Sequence, residues 1–263
     1  MDLQLDGRVA LIGGSSSGLG LAIATTLAAE GCHVALNGRD ADRLARAVEH
    51  VKAHAHREVV AVQADVSVPA QVEELARRVT QQLGPVDILL CNAGGPPAMR
   101  FDAVPAEGWD AALGLNLLST IHLCGAVLPS MRERHWGRII CLTSVAAKQP
   151  ITNLILSTTA RAGVLGFAKT LADEVAVDGI TVNCVCPGYM RTERVEELAA
   201  ELAAQRNRRV EDVLGDFVRG IPTGRMGEPA ELAAVVAFLA SEQASYITGV
   251  ALQVDGGLVR SIL

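Results

Sequence analysis

A glycine-rich stretch near the amino terminus has the residue types and spacing that hold a phosphate group. It reads Gly-Gly-Ser-Ser-Ser-Gly-Leu-Gly over residues 13–20, between a predicted strand at 8–13 and a predicted helix at 19–30. Glycines let the backbone pass close to an anion, and a helix N-terminus offers free N–H groups and the positive end of the helix dipole. We therefore predict a pyrophosphate-binding turn made by Gly14, Ser16, Ser17, Gly18, Leu19 and Gly20.

The second predicted strand ends in a sequence that bears on the identity of the dinucleotide. Dinucleotide-binding folds commonly place an acid here to bind the ribose 2′-OH of NAD, and this chain has Gly38 followed by Arg39. A guanidinium suits a 2′-phosphate, which favours NADP(H) over NAD(H). Two other interpretations of Arg39 stay open, a solvated loop cation or a side chain stacked on adenine. Asp40 is a competing acid, although its position suits the N-cap of the next helix.

Short apolar runs alternate along the chain with longer amphipathic stretches. Strand candidates are residues 8–13, 33–37, 59–63, 86–91, 138–143, 181–185 and 250–254, and helix candidates are 19–30, 40–54, 69–83, 113–133, 154–177 and 229–241. Such alternation predicts parallel strands joined by right-handed crossovers, and continuously apolar strands predict a sheet covered on both faces. We expect one domain over residues 1–263, because no linker or internal repeat interrupts the pattern.

One segment breaks this alternation. Between Pro187 and Glu228 the chain is charged and has helical character at residues 193–209, but it contains no strand candidate. A long insertion after a strand is typical of a lid or substrate loop, which we place at about residues 189–225. The alternative is a pair of solvated surface helices.

Composition excludes several classes of protein. The 263 residues carry a net charge of −6 and only 3% aromatic residues, so neither a basic surface for nucleic acid nor a base-stacking platform is expected. No uninterrupted apolar run reaches the ~18 residues of a membrane span, and the N-terminus has no signal-peptide pattern. We expect a cytoplasmic protein without a membrane or nucleic-acid partner. The six cysteines lack the usual zinc spacing, so we expect buried reduced thiols and no metal.

Taken together, the motifs resemble the short-chain dehydrogenase/reductase family over essentially the whole chain. They come in order: Gly14-xxx-Gly18-x-Gly20, Asp65-Val66, Cys91-Asn92-Ala93-Gly94 in place of the family's Asn-Asn-Ala-Gly, Asn116, Ser144, Pro187-Gly188 with Thr192, and Asp255-Gly256-Gly257. The resemblance implies a doubly wound, Rossmann-type sheet of seven parallel strands with helices on both faces and a helical lid. It also implies a nicotinamide cofactor across the carboxyl ends of the strands, and usually a dimer or tetramer.

The resemblance further implies roles for individual residues along the cofactor. Asp65 and Val66 would contact the adenine, and Asn92, Ala93 and Gly94 would line the cofactor. Asn92 would also tie neighbouring strands together. The nicotinamide and the phosphates would be flanked by Pro187, Gly188, Met190 and Thr192.

The chain departs from the family at the active site, which in the family consists of Asn, Ser and a Tyr-xxx-Lys pair. Asn116 and Ser144 are present, but the usual spacing places Ser157 where the tyrosine is expected and Arg161 where the lysine is expected. In the family, tyrosine transfers the proton and lysine lowers its pKa. A serine hydroxyl is a far weaker acid, and an arginine is effectively always charged. Arg161 could still hold the nicotinamide ribose or an anionic substrate.

Two side chains could replace the missing acid. Lys148 lies four residues after Ser144, on the loop that normally borders the substrate, and its ammonium could donate a proton or stabilise an alkoxide. Tyr189 follows Pro187-Gly188 and brings a phenol to the nicotinamide edge. The alternatives are a surface lysine and a tyrosine that forms a pocket wall. No histidine lies near a family catalytic position.

Three functions remain open from the sequence. The first is an NADP(H)-dependent oxidoreductase with an altered active site that reduces a carbonyl compound, for which a 3-oxoacyl thioester is the family-level default. The second is a cofactor-binding protein with little turnover, and the third is a non-redox enzyme on the same scaffold. Residues 113–128 and 154–172 are apolar over more than one helical face, which predicts a homodimer or homotetramer formed through these helices.

Overall fold

The computed structural model describes residues 1–262, which form a seven-stranded sheet in the order β3-β2-β1-β4-β5-β6-β7. The strands are β1 Val9–Ile12, β2 His33–Gly38, β3 Val59–Gln63, β4 Ile88–Cys91, β5 Gly137–Leu142, β6 Ile180–Pro187 and β7 Ala251–Val254. All neighbouring strands pair in parallel. The strand order reverses between β1 and β4, where the carboxyl ends of the strands open a crevice.

Nine α-helices surround the sheet in the described part of the chain. They are α1 Gly18–Ala29, α2 Ala41–Lys52, α3 Pro69–Leu83, α4 Ala106–Leu113, α5 Ser119–Glu133, α6 Ile155–Val175, α7 Glu193–Arg206, α8 Val210–Gly220 and α9 Pro229–Ala240. Successive strand residues face opposite layers, as Leu11 and Ile12 do, because side chains alternate along a strand. One layer packs α1, α2 and α9 on the sheet, and the other packs α3, α5 and α6. The predicted doubly wound fold is therefore confirmed.

The helix predicted at residues 113–133 begins earlier, at Ala106, and contains a π-helical segment, Gly114–Leu118. The sequence pattern missed α4 because only Ala112 of this helix is buried, so it carries no apolar stripe. The stretch Ala106–Glu133 has the length and mean hydropathy of a membrane-crossing helix, 28 residues and 1.7. Its most apolar window is 44% buried within the fold, against the sheet and neighbouring helices, and polar residues such as Asn116 and Ser119 interrupt the apolar run.

The segment after β6 folds into two helices rather than the single helical stretch expected at residues 193–209. Helix α7 ends at Arg206, and Asn207 caps it in a left-handed backbone conformation with φ of 50°. Helix α8 then packs against α7. The two helices share an apolar cluster that includes Leu202, Val213 and Phe217. They therefore pack on one another as a small layer above the carboxyl edge of the sheet.

The six cysteines are all buried and free. Cys91, Cys141 and Cys184 occupy neighbouring register positions on β4, β5 and β6. Cys124 on α5 lies above them, with its Sγ 3.9 Å from that of Cys91. These thiols belong to the core between the sheet and α5.

Candidate active site

The glycine-rich turn joins β1 to α1 and is shaped by contacts that exclude side chains. Gly14 and Gly18 have φ of 55° and 57°, in the left-handed region that favours glycine. Asn92 donates from Nδ2 to the carbonyl oxygens of Gly13 and Gly14, both at 3.1 Å. A Cβ on Gly20 would lie directly against the Gly14 carbonyl oxygen and 2.9 Å from the Ser15 Cα. The turn is thus a tight cradle that only glycine permits at these positions.

The hydrogen-bond donors of this glycine-rich turn are suited to bind an anion. Ser17 is the N-cap of α1, but its side chain makes no capping hydrogen bond, so first-turn N–H groups lack the partner that a cap supplies. Ser16 and Ser17 are half-buried and line an adjacent cleft. Ser15 is fully buried instead, donating to the Ile12 carbonyl oxygen at 2.8 Å and accepting from the Asn37 N–H at 2.9 Å. Ser15 therefore ties β1 to β2, and the next two serines are left for a ligand.

The residues predicted for the adenine end lie beyond the carboxyl ends of β2 and β3. The Arg39 guanidinium lies 3.7 Å from the Asp65 carboxylate and its side chain is 69% exposed. Burial alone raises the pKa of Asp65, but the hydrogen bonds from Ser67 and the charge of Arg39 outweigh this effect, so its pKa falls below the ordinary value. Asp65 is therefore an ionised acceptor, and Val66 beside it is buried.

The residues predicted for the nicotinamide end lie at the carboxyl ends of β4 and β6. Asn92, Ala93 and Gly94 follow β4 directly. Gly188 donates from its N–H to the Val254 carbonyl oxygen at 3.0 Å, and a Cβ there would lie 2.8 Å from the Asp255 Cα. Met190 is buried, and the Thr192 hydroxyl donates to its carbonyl oxygen at 3.4 Å. The predicted cofactor residues are thus distributed along one edge of the sheet.

Asn116 lies in the π-helical segment, which turns its amide toward this edge. Its Nδ2 donates to the Gly94 carbonyl oxygen at 2.9 Å, and its Oδ1 is buried with no hydrogen-bond partner in the described structure. A buried carbonyl oxygen without a donor is unfavourable. Asn116 therefore fixes the loop after β4 and presents an acceptor suited to a water or ligand donor.

Ser144 lies two residues after β5 and is the N-cap of a short 3₁₀ turn. Its Oγ accepts a hydrogen bond from the Ala146 N–H at 3.1 Å, which leaves the hydroxyl proton available for another acceptor. Thr143 beside it is buried and donates to the Val185 carbonyl oxygen at 3.1 Å. The neighbouring strand thus holds the backbone from which Ser144 extends.

Ser157 and Arg161 lie one turn apart on α6, so both face the end of β5. Arg161 donates from Nη1 to the carbonyl oxygens of Leu142 and Thr143, at 3.0 and 2.9 Å. Ser157 is 9% exposed, and its hydroxyl makes no hydrogen bond within residues 1–262. Burial lowers the pKa of Arg161 to about 10, and the positive charge of Arg194 acts in the same direction. The group stays charged at neutral pH and has no carboxylate partner in the described structure.

The structure brings Lys148 to the same edge. The backbone N–H of Lys148 donates to the Val145 carbonyl oxygen at 2.9 Å, which places Lys148 at the end of the 3₁₀ turn that follows Ser144. Burial raises the pKa of the Cys186 thiol at the end of β6, and the charges of Lys148 and Arg161 oppose that rise. Both cations are therefore within electrostatic reach of one thiol beside the site.

Tyr189 is held in the layer formed by α7 and α8. Its ring stacks on Phe217, with centroids 4.1 Å apart and planes at 7°, and burial raises its pKa. It lines a cavity of about 120 Å³ together with residues such as Thr223 and Asp255. The raised pKa makes the Tyr189 phenol a weaker acid, and the stacking on Phe217 holds its ring in the helical layer. Tyr189 is therefore poorly suited to donate a proton at the nicotinamide edge.

Two arginines that the sequence pattern did not single out also border this region. Arg194 donates from Nη2 to the Pro96 carbonyl oxygen at 2.9 Å and pairs with Glu197 and Glu201, each at 3.4 Å. Arg43 on α2 forms a 2.8 Å ion pair with Glu193 on α7. Only the one-turn spacing of Arg194 from Glu197 could have been noticed in sequence. For metals, residues 1–262 contain no group of three or more His, Cys, Asp or Glu side chains placed to hold an ion.

A parallel sheet with a glycine-rich turn after β1 and polar side chains at its carboxyl edge defines a Rossmann-type α/β protein. The sequence model of a family described as enoyl-(acyl carrier protein) reductase matches residues 14–259. The D-beta-hydroxybutyrate dehydrogenase of Rhizobium meliloti (strain 1021) is 34% identical over 254 residues, covering 95% of this chain and 98% of the relative. An acetoacetyl-CoA reductase from the same strain is 36% identical over 250 residues, covering 95% and 98%.

A solved structure gives the same result. L-sorbose reductase from Gluconobacter frateurii, in complex with NADPH and L-sorbose, superposes with a TM-score of 0.94 at 36% identity, over 100% of both chains. The chain belongs to the short-chain dehydrogenase/reductase family. By their names, these three relatives are one dehydrogenase and two reductases.

Proposed function

We propose that this chain is an NADP(H)-dependent oxidoreductase that reduces a medium-sized carbonyl compound with an altered active site. The observation that carries the proposal is the convergence of Asn116, Ser144 and Arg161 on the same edge as the glycine-rich turn. The orphaned Asn116 Oδ1 and the free Ser144 hydroxyl proton provide an acceptor and a donor beside the expected nicotinamide. The NADPH complex of the G. frateurii relative supports the cofactor class.

The residues along the carboxyl edge of the sheet are suited to bind NADP(H). The cradle that only glycine permits and the uncapped start of α1 suit the pyrophosphate, and Ser16, Ser17, Gly18 and Leu19 would donate to it. Arg39 lies beside Asp65 at the predicted adenine end, where its guanidinium would face the 2′-phosphate of the neighbouring ribose. When bound, NADP(H) supplies or accepts the hydride. The chain's own residues then have to orient the carbonyl and move one proton.

The proton path is where this chain differs from its family. Ser157 and Arg161 take the positions of the family's tyrosine and lysine, by their spacing from Ser144. We propose that Ser144 and Ser157 hydrogen-bond the substrate oxygen and that Arg161 holds the nicotinamide ribose. The proton comes from Lys148, from Tyr189 or from water relayed along Asn116.

Lys148 is the preferred donor, because it lies at the end of the short 3₁₀ turn that begins at Ser144. Tyr189 is less favoured because its ring is stacked in the lid layer. We expect Lys148→Met to lower the turnover rate by ~10²-fold or more without weakening NADPH binding. Tyr189→Phe is the matched variant, since it removes only a hydroxyl. Full turnover in Lys148→Met together with its loss in Tyr189→Phe would reverse the assignment.

The substrate class rests on the relatives and on a partly apolar pocket. We propose that the pocket is closed by a lid at residues 189–225 and accepts a 3-oxoacyl-type or similar ketone. A panel of acetoacetate, acetoacetyl-CoA and L-sorbose, assayed with NADPH and with NADH, tests both the cofactor and the size of the substrate. Oxidation of NADPH by at least one ketone supports the proposal, and its absence across a broad ketone panel opposes it.

A second candidate is a cofactor-binding protein with little turnover. The observation that favours it is Ser157, which has no acidic side chain to offer in the tyrosine position. Tight binding of NADPH by fluorescence titration, with no turnover on any carbonyl or enone, would select this candidate. Release of product from a substrate without a change in NADPH absorbance would indicate instead a non-redox enzyme on the same scaffold.

The remaining expectations follow from the family. We propose a homodimer or homotetramer in the cytoplasm, acting on a small molecule without a nucleic-acid or membrane partner. The apolar residues exposed on the surface of the Ala106–Glu133 stretch and just before it support assembly, and they include Phe101 and Leu118.

A further inference from the structure

A cleft of about 530 Å³ lies beside the glycine-rich turn, on the side of α2. Its floor is the turn itself at Ser16, Ser17 and Gly18. One wall is α2, which contributes Arg43 and Arg46, and the facing wall contains Arg191, Thr192 and Glu193. Positive side chains thus surround the outer side of a turn that already suits phosphate.

Two of the three arginines that line this cleft form ion pairs with acids, and the third does not. Arg43 pairs with Glu193 at 2.8 Å, and Arg191 pairs with Glu228 at 2.9 Å. The Arg46 guanidinium has neither an ion pair nor a hydrogen bond to any residue of the described chain. A cation without an acid partner, one helical turn from Arg43 and beside a phosphate-binding turn, favours an anionic ligand.

Arg39 lies outside the lining of this cleft. Its guanidinium turns toward Asp65, 3.7 Å away, on the adenine side. The cations next to Ser16 and Ser17 are therefore those of α2.

We propose that Arg43 and Arg46 bind the 2′-phosphate of NADP(H) in this cleft, and that the phosphate takes Arg43 away from Glu193. The inference rests on the proposed preference for NADP(H). It adds Arg43 and Arg46 to Arg39 as residues that determine cofactor specificity. It also assigns Glu193 as an acid that weakens the binding of NADP(H).

The Arg43–Glu193 pair joins the two walls of the cleft. Its side chains are 48% and 67% exposed, and exposed ion pairs of this kind contribute little to stability. A phosphate dianion can accept two parallel hydrogen bonds from a guanidinium and competes well against one carboxylate oxygen. The phosphate also repels Glu193, the first residue of α7. NAD(H) lacks the phosphate, so it leaves the pair intact.

The inference predicts opposite effects for the two partners of the ion pair. Arg43→Ala and Arg46→Ala should each weaken NADPH binding by about tenfold, with little change for NADH. Glu193→Gln should tighten NADPH binding by about two- to fivefold, again with little change for NADH. In the Arg43→Ala background, Glu193→Gln should have a smaller effect, because the competition for Arg43 no longer exists.

Isothermal titration calorimetry with NADPH and NADH measures these changes in affinity. The same measurement with 2′,5′-ADP and 5′-AMP gives the contribution of the 2′-phosphate alone. Arg77→Ala on α3 is the matched control, since Arg77 is a similarly exposed arginine paired with an acid far from the cleft. An unchanged NADPH-to-NADH ratio in Arg43→Ala and Arg46→Ala, with Arg39→Ala removing the preference, overturns this inference and leaves the proposed function standing. Equal affinity of the unmodified protein for both cofactors overturns the proposed preference instead.

Discussion

Arg161 is bound to the main chain at Thr143 by a hydrogen bond of 2.9 Å from its Nη1 to the carbonyl oxygen. The same nitrogen donates to the preceding residue, so the guanidinium is fixed at the end of β5 beside Ser144. Burial lowers the pKa of Arg161 to about 10. Because this value is still well above neutral pH, the guanidinium stays charged there. The Arg161 guanidinium is therefore charged at neutral pH and held beside Ser144 by the main chain.

Restoring the family's pair of residues should restore ordinary acid catalysis. We expect Ser157→Tyr with Arg161→Lys to raise the kcat/KM for ketone reduction by about 10²-fold, because a phenol activated by an ammonium is a far better acid than a serine hydroxyl. Steady-state kinetics with NADPH and a ketone that the unmodified protein accepts poorly measures the gain.

Ser157→Phe with Arg161→Lys is the matched control for this experiment, since it adds the ring without the hydroxyl. Because Ser157 is buried, the melting temperature of both double variants has to be compared with that of the unmodified protein. An equal rate in the two double variants would show that the phenol gains no catalytic role here.

The glycine-rich turn should tolerate no side chain at Gly20. A Cβ there meets the backbone of Gly14 and Ser15, so Gly20→Ala has to displace the turn that we propose binds the pyrophosphate. We expect NADPH affinity to fall by about tenfold or more, while the circular dichroism spectrum is retained. Gly215→Ala on α8 is the control, because its Cβ would lie at an ordinary 3.4 Å from the mobile end of Arg219. Equal losses of affinity in both variants would contradict the assignment.

The start of α9 should make stability depend on pH through Glu231. Hydrogen bonds from Arg225 and from the Glu228 N–H lower the pKa of Glu231 from 4.5 to about 2. Because the pKa is lower in the folded state, the stabilisation is complete above the unfolded value and is lost as the pH falls from 4.5 through 2.

Glu231→Gln should therefore lower the melting temperature at neutral pH, and the difference from the unmodified protein should shrink on acidification below 4.5. Thermal denaturation followed by circular dichroism between neutral and acidic pH gives this comparison. Glu107→Gln in the first turn of α4 is the control, because Glu107 has no ion pair within residues 1–262. A difference in melting temperature that is independent of pH would refute the role of the ionised carboxylate.

Assembly should depend on the exposed apolar side chains around α4 and α5. Phe101 is 67% exposed and Leu118 is 44% exposed, which a monomer would leave in contact with water. We expect light scattering at micromolar concentration to give the mass of a dimer or tetramer, and Leu118→Glu to lower that mass. Val177→Glu, at a side chain that is 87% exposed after α6, is the control. A monomeric mass for the unmodified protein would rule out the interface.

Local backbone requirements could be predicted well from the sequence. The strands at residues 33–37 and 59–63 and the helix at residues 69–83 agree with the structure to within one residue, since apolar runs and Pro69 mark their limits. The glycine-rich turn is equally local, because Gly14, Gly18 and Gly20 must meet steric conditions within eight residues of chain. By contrast, α4 was missed because a mostly exposed helix leaves no apolar period to detect.

The sequence by itself determined the doubly wound fold, the order of its motifs and the presence of Ser157 and Arg161 in α6. Only the tertiary structure decided which side chains meet, because such contacts join residues far apart in the chain. Arg43 and Glu193 are separated by 150 positions and form an ion pair beside the glycine-rich turn. Tyr189 stacks on Phe217 because α8 returns against the segment that follows β6. Pairings of this kind depend on how the helices pack above the sheet, and no period or spacing in the sequence contains that information.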